Sequence, residues 1–232
     1  MATHRMNDER RIHRRPKKVL VIDVGGTHVK ILVTGKRVPR KVNSGPTMTA
    51  RKMVDAVKRL TIDWSYEAVS IGYPGPVFHG RPGAEPKNLG GGWVGFDFER
   101  AFARPVRMIN DAAMQALGSY REGRMLFLGL GTGLGSALII DGVIEPMELA
   151  HLPYKNGLSY EEYMGVRGLK RFGKKKWRHH VVKAAETLRH ALQVDFVVLG
   201  GGNVKNLKNV PAGIHLGNNA HAFIGGYRLW KN

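Results

Sequence analysis

Short apolar runs separated by glycine-rich breaks set the predicted elements. Val19–Val24 is apolar except for Asp23 and predicts a buried strand. Gly25-Gly26 reads as a tight turn into a second strand, Val29–Val33. A third strand is predicted over Val38–Asn43. A helix follows from a Thr47 or Thr49 cap to about Leu60, with Met53, Val57 and Leu60 on one face. Glu67–Ile71 predicts another strand. Residues 72–95, rich in glycine and proline, read as a long loop of the kind that compact domains use for function. Phe96–Ala103 predicts a short helix, Val106–Ile109 a strand, and Asp111–Tyr120 a helix with Asn110 or Asp111 near its start. From Met125 the pattern restarts: strand Met125–Leu130, turn Gly131–Gly135, returning strand Ser136–Ile140. Helices are expected at Tyr160–Arg171 and Lys176–Leu192; Trp177, Val181, Ala184, Leu188 and Leu192 fall at helical spacing in the second. Phe196–Leu199 predicts a strand, and Asn219–Trp230 a last amphipathic helix. Two similar α/β halves predict two lobes with a cleft between them. The expected divisions are a basic arm over residues 1–17, lobes over 18–109 and 110–216, and a terminal helix in 217–232 packing back on the first lobe.

With 43 % hydrophobic residues the chain has material for a core, which excludes wholesale disorder. Its 30 glycines show no G-X-Y repeat, so they serve turns and close approach to ligands. Cysteine is absent, which excludes disulfides and Cys-ligated metal and fits a reducing compartment. No apolar run approaches the ~18 residues of a membrane span, and the Arg-rich start lacks an apolar signal segment. A cytoplasmic enzyme with no membrane partner is the expectation. Charge changes this picture most. Lys and Arg number 37 against 18 Asp and Glu, a net +19. The excess sits in residues 1–18 (seven basic, two acidic), 30–59 (nine and one) and 167–190 (nine and one). Such a field attracts polyanions: nucleic acid, anionic lipid or inorganic polyphosphate. The plainer reading is a lysine-rich solvated surface.

Three glycine turns carry candidate chemistry. In residues 21–30, Asp23 ends a buried strand, Gly25 and Gly26 present backbone N–H groups, Thr27 adds a hydroxyl and Lys30 a cation. This set suits a phosphate and its Mg²⁺, with Asp23 toward the metal; a hairpin turn needing positive φ is the alternative. Gly129-Leu-Gly131-Thr132-Gly133-Leu-Gly135-Ser136 is neither a P-loop nor a dinucleotide fingerprint, yet it offers a glycine cradle with two hydroxyls. Gly200-Gly201-Gly202-Asn203 would let a flat ligand such as a nucleotide base approach the backbone.

In this order the turns resemble the actin-like ATPase fold of sugar kinases, and more closely the ROK family, in particular its glucokinase and polyphosphate glucokinase branch. The resemblance spans nearly all of residues 19–230. It rests on Asp23-Val-Gly-Gly-Thr27, Gly72-Tyr-Pro-Gly-Pro-Val77, Asn88-Leu-Gly-Gly-Gly-Trp93, Val106-Arg-Met-Ile-Asn-Asp-Ala-Ala113, Gly129 to Gly135, and Glu148-Leu-Ala-His151. It implies that Asp111 is the catalytic base, where an N-cap is the other reading, and that Asn88, Asn110, Glu148, His151 and Glu161 hold the sugar. Glu162 is an alternative to Glu161 in a shifted alignment. Phosphates would lie on the turns at Gly25–Thr27 and Gly131–Gly133, and adenosine by Gly200–Asn203. Ala150 stands where the family usually has glycine, and the Cys-rich zinc motif of many members is absent. The implied substrates are glucose or a similar hexose and a donor, polyphosphate or ATP, with Mg²⁺; a homodimer is implied too. The basic track Lys170, Arg171, Lys174, Lys175, Lys176 and Arg178, or a second one at Arg37, Arg40, Lys41, Arg51 and Lys52, would hold a polyphosphate chain. Competing readings are a non-catalytic sugar or polyphosphate sensor and a nucleic-acid-binding regulator. Residues 1–17 are too short for the helix-turn-helix domain of such regulators, so nucleic acid is not the expected partner.

Overall fold

A computed structural model describes residues 16–231, so the basic arm expected over residues 1–17 lies almost wholly outside the described residues. The first half builds a five-stranded sheet. β1 (Val19–Val24), β2 (His28–Val33) and β3 (Arg40–Asn43) form an antiparallel meander. Helix α1 (Ala50–Leu60) crosses back, and β4 (Ala68–Tyr73) lies parallel to β1. The glycine- and proline-rich segment then carries the small hairpin β5 (Val77–Phe78) and β6 (Arg81–Pro82), and helix α2 (Phe98–Phe102) follows it. β7 (Val106–Asn110) joins parallel to β4, giving the order β3-β2-β1-β4-β7.

After helix α3 (Asp111–Ser119) the same plan is repeated. β8 (Arg124–Leu130), β9 (Leu134–Ile140) and β10 (Val143–Met147) form the second meander. Hairpin β11 (Pro153–Lys155) and β12 (Leu158–Ser159), helix α4 (Tyr160–Met164) and helix α5 (Val166–Ala191) lead to β13 (Phe196–Gly200), parallel to β8. β14 (Ile214–Leu216) pairs with β13, and α6 (His221–Arg228) follows. The order β10-β9-β8-β13-β14 matches that of the first sheet strand for strand.

The burial explains these elements. β4 is buried at every position, as a central parallel strand covered on both faces must be. In α1 the hydroxyl of Thr49, not Thr47, accepts the Lys52 N–H and caps the helix, while Met53, Val54 and Val57 face the core. Trp177 is fully buried, and its indole N–H donates to the Met164 carbonyl at 2.9 Å, locking α5 onto α4.

Several boundaries differ from the pattern-based expectation. β3 begins at Arg40, since Pro39 has no N–H for the ladder and Val38 is exposed. The helix expected over 160–171 is broken at Gly165, where the Thr132 carbonyl accepts the Val166 N–H. A second break comes at Gly173, with φ 70°. Strands β5, β6, β10, β11, β12 and β14 are additions to the expected set. They are short or lie at sheet edges, and β10 carries Pro146, which an edge strand tolerates.

Helix α3 packs on both sheets. Ala112, Ala113 and Ala116 meet Met125, Phe127, Ala137 and Ile139 of the second, while Met114 joins Val19, Val21 and Leu32 of the first. Ala222 and Phe223 of α6 complete that latter cluster. Ser70, a buried hydroxyl in an otherwise apolar strand, donates to the Gly226 carbonyl at 2.6 Å and accepts from the Trp230 indole at 2.9 Å.

Candidate functional site

A cleft of about 850 Å³ is lined by residues of both sheets. Its size is that of a small-molecule site. Asp23, Gly25, Gly26 and Lys30 come from the β1–β2 hairpin, Asn88 from the long loop, Asn110 and Asp111 from the β7–α3 junction. Gly131, Thr132 and Gly133 come from the β8–β9 turn, Glu148 and His151 from the segment after β10, Glu161 from α4, and Gly201 and Gly202 from beyond β13. Three candidate residues are not in this lining. Thr27 is exposed beside it, with its carbonyl accepting the Ser44 N–H. Gly200 lies against the Phe127 ring and the Gln115 amide. Asn203 is turned to the backbone, its amide donating to the Gly131 carbonyl at 2.9 Å.

The β7–α3 junction separates the two roles that sequence leaves open for Asp111. The Asn110 side-chain oxygen accepts the N–H groups of Ala112 and Ala113 at 3.0 and 3.1 Å, so Asn110 is the N-cap. Its amide donates to the Gly75 carbonyl at 3.1 Å, which ties the helix start to the loop after β4. Asp111 accepts from its neighbour Ala112 at 2.8 Å and otherwise faces the cleft. Burial pushes its carboxyl up to about 7, with the nearby Asp23 charge adding to the effect and the Ala112 N–H opposing it. A carboxyl of that kind is suited to taking a proton near neutral pH.

Asp23 is also held above the usual carboxylate range by burial, and the Lys30 ammonium 3.5 Å away pulls it back. Neither Gly25 nor Gly26 adopts positive φ, so a left-handed turn does not explain them. At Gly25 space does: a Cβ there would lie 3.0 Å from the His28 carbonyl oxygen, whereas one at Gly26 would make only ordinary contact, 3.4 Å from the Asn88 Cβ. Asn88 is positioned by its loop. Trp93 is fully buried, and the Glu85 carboxylate accepts the Trp93 and Val94 N–H groups at 3.0–3.1 Å.

Among the described residues no three acidic or His side chains cluster as a metal site. Magnesium needs fewer, because it keeps waters and takes one or two carboxylates together with the phosphates of its partner. Asp23, a mostly buried carboxylate with one loose cationic neighbour, fits that requirement.

On the other wall, Glu148 and His151 flank the 3₁₀ turn Leu149–His151, with 3.8 Å between carboxylate and imidazole. Both side chains are exposed to the cleft, while Ala150 between them is buried, which fits a small residue there. Ser136 anchors this turn by donating to the Met147 carbonyl and accepting from the Leu149 N–H. Glu161 and Glu162 face different ways. Glu162 closes a capping box with Ser159, whereas Glu161 lines the cleft and accepts the Leu134 N–H at 3.3 Å. Its approach requires Gly133, where a Cβ would sit 2.3 Å from the Glu161 Oε2.

Gly201 has φ +82°, and a Cβ there would strike the Leu130 backbone at 2.6 Å. Gln115 and Asn219 also line this end of the cleft, joined amide to amide at 3.1 Å, and sequence reading passed them over. The signal for Gln115 was its place one turn after Asp111 on the same helix face.

Solved structures share this architecture. The inorganic polyphosphate/ATP-glucomannokinase from Arthrobacter sp. strain KM superposes with a TM-score of 0.78 at 23 % identity, covering 94 % of this chain and 99 % of that one. A ROK family glucokinase from Streptomyces griseus, in complex with glucose and AMPPNP, gives 0.69 at 19 % identity over 91 % and 98 %. The fold is therefore the two-lobed actin-like ATPase fold. In sequence, a polyphosphate glucokinase of Mycobacterium tuberculosis is 27 % identical over an alignment 208 residues long that covers 78 % of this chain and 76 % of that protein. Residues 19–145, more than half of the chain, match the ROK family itself, and the protein belongs to that family.

Proposed function

We propose that the protein is a sugar kinase that moves a phosphoryl group from inorganic polyphosphate or ATP to the 6-hydroxyl of glucose or a close hexose. The observation that carries this reading is Asp111: a cleft carboxyl relieved of capping by Asn110 and held near neutrality by burial, facing glycine turns of both sheets. The names of the relatives, glucokinases and glucomannokinase, agree in substrate class. Asn88, Glu148, His151 and Glu161 would hold the sugar hydroxyls, and Asn110 would position Asp111. Gly25, Gly26, Gly131 and Gly133 would present the donor. Asp111 takes the proton of the attacking hydroxyl as the new oxygen–phosphorus bond forms; the old bond breaks, and the shortened polyphosphate or ADP leaves. Asp23 would hold Mg²⁺, which when bound neutralises charge on the phosphoryl oxygens.

The test is sugar 6-phosphate formation by the purified protein with glucose and Mg²⁺, run in parallel with ATP and with nucleotide-free polyphosphate. Turnover with polyphosphate that falls as salt is added is expected. Absence of product with either donor across glucose, mannose and their close analogues would overturn the reading.

Glu161 supplies a finer check. Gly133→Ala displaces only the flexible end of Glu161, so the melting temperature should hold while the KM for sugar rises about tenfold, matching Glu161→Gln. An unchanged KM in both variants would remove Glu161 from the sugar site.

A further inference from the structure

The two basic segments of the chain differ in what their side chains already do. In the first, Arg40 forms a two-pronged pair with Asp63 at 2.5 and 2.7 Å, bonds the Leu60 carbonyl and lies 4.2 Å over the Trp64 ring. Arg51 covers the Phe96 ring, and the Lys52 ammonium bonds the Thr47 carbonyl. These three cations are engaged within the fold, whereas Lys36, Arg37, Lys41 and Lys58 are exposed and, among the described residues, form no ion pair.

The second segment is different. No Asp or Glu occurs between Glu162 and Glu186, and none after Asp195. The structure brings these two acid-free stretches together. Arg178 of α5 donates to the Asn206 carbonyl, in the 3₁₀ turn Val204–Asn206 that directly follows Gly201 and Gly202 of the cleft lining. Lys174 and Lys175 precede Arg178 by four and three residues, with no helix break between, and so share its side of α5. Lys205 sits in the 3₁₀ turn and Lys208 just beyond it. All four lysines are exposed, and among the described residues none forms an ion pair. Five cations from distant parts of the chain thus gather at one junction. That junction is joined to the β8–β9 turn. The Asn203 amide donates to the Gly131 carbonyl, the Asn203 N–H to the Leu130 carbonyl, and Val166, at the start of α5, to the Thr132 carbonyl.

We infer that Lys174, Lys175, Arg178, Lys205 and Lys208 form a polyanion subsite. It holds the far portion of a long inorganic polyphosphate whose terminal phosphate lies in the cleft. This rests on the kinase reading above and adds to it where the donor chain runs. The subsite predicts chain-length selectivity. A long chain reaches both cleft and patch, whereas ATP or tripolyphosphate is held by the glycine turns alone.

The experiment compares the unsubstituted protein with Lys174→Ala/Lys175→Ala/Lys205→Ala/Lys208→Ala, and with the charge-matched Lys36→Ala/Arg37→Ala/Lys41→Ala/Lys58→Ala. Steady-state kinetics are measured with long-chain polyphosphate, tripolyphosphate and ATP, and polyphosphate binding is measured separately by calorimetry without sugar. In the patch variant the KM for long polyphosphate should rise about tenfold or more and lose much of its salt dependence. Its kcat, and its KM for ATP and tripolyphosphate, should stay within about twofold, which also reports an intact fold. The charge-matched variant should keep its KM for the long chain. Equal losses in both variants, or an unchanged KM in the patch variant of a protein that uses polyphosphate, overturn the subsite. So does a patch variant that loses RNA binding but keeps its polyphosphate KM. Calorimetric binding that depends on the patch without turnover supports the subsite and overturns the donor reading. A protein that uses ATP and neither binds nor uses polyphosphate overturns both.

Discussion

Asp111→Asn is expected to abolish sugar phosphorylation while leaving the sugar bound and the fold firmer than before. An amide keeps the shape of the carboxyl and its contact with the Ala112 N–H, but it cannot take a proton, so turnover should fall by about 10²–10⁴. The gain in stability follows from the same burial that would make Asp111 a base. Its folded value, about 7, lies above the ordinary 3.8. Below pH ~3 the carboxyl is protonated whether the chain is folded or not, and the fold carries almost no penalty. As pH rises from there through about 7, the unfolded chain ionises first and stability is lost; above that it levels off. A group sealed from water would cost on the order of 4 kcal/mol over that range. Asp111 faces an open cleft, so about 2 kcal/mol is expected, nearly absent at pH ~3 and complete by pH ~8. Thermal melts of both proteins at the two pH values, with no sugar or Mg²⁺, measure it. Near-normal turnover in the variant would take Asp111 out of the reaction. A stability difference that does not grow with pH would mean that its carboxyl is not the raised group.

Much of this arrangement is written in local pattern. The apolar runs at Val19–Val24 and Met125–Leu130, each followed by a glycine turn and a returning strand, read directly as the paired meanders of two sheets with one topology. Asp23, Asp111 and Glu148 could be picked out because each stands beside a recognisable turn. What stayed open depended on where individual side chains point and on partners distant in sequence. Whether Asn110 or Asp111 caps α3 turns on where two side-chain oxygens point, and whether Glu161 or Glu162 faces the cleft turns on the Ser159 capping box and the space at Gly133. Gln115 and Asn219, 104 residues apart, become neighbours only when α6 folds back along α3. The edge strands β10 and β14 lacked a signal because edge pairing demands little of side chains, one of them even containing a proline.

That return of α6 onto α3 is the basis of a large expected stability effect. Gly118→Ala should cost about 3 kcal/mol or more, although replacing a helical glycine by alanine ordinarily adds close to 1 kcal/mol of stability. A Cβ at Gly118 would lie 1.8 Å from the His221 carbonyl oxygen and 2.8 Å from the Gly225 nitrogen. Reciprocally, a Cβ at Gly225 would lie 1.8 Å from the Met114 carbonyl oxygen. The obstacles are backbone, so no rotamer change relieves them and the helices must part. Parting them exposes Phe223 and Met114, strains the Ser70–Gly226 hydrogen bond, and pulls Arg228 from the Leu117 and Tyr120 carbonyls at the end of α3. For a domain of this size the melting temperature should drop by roughly 10 °C. Because α3 begins at Asp111, kcat should fall as well in the fraction that stays folded. Gly118→Ala and Gly225→Ala together should cost less than the sum of the two alone, since either one already forces the separation. A Gly118→Ala protein that melts higher than the original would show that the helices have room to spare, and the link from the terminal helix to the Asp111 carboxyl would go with it.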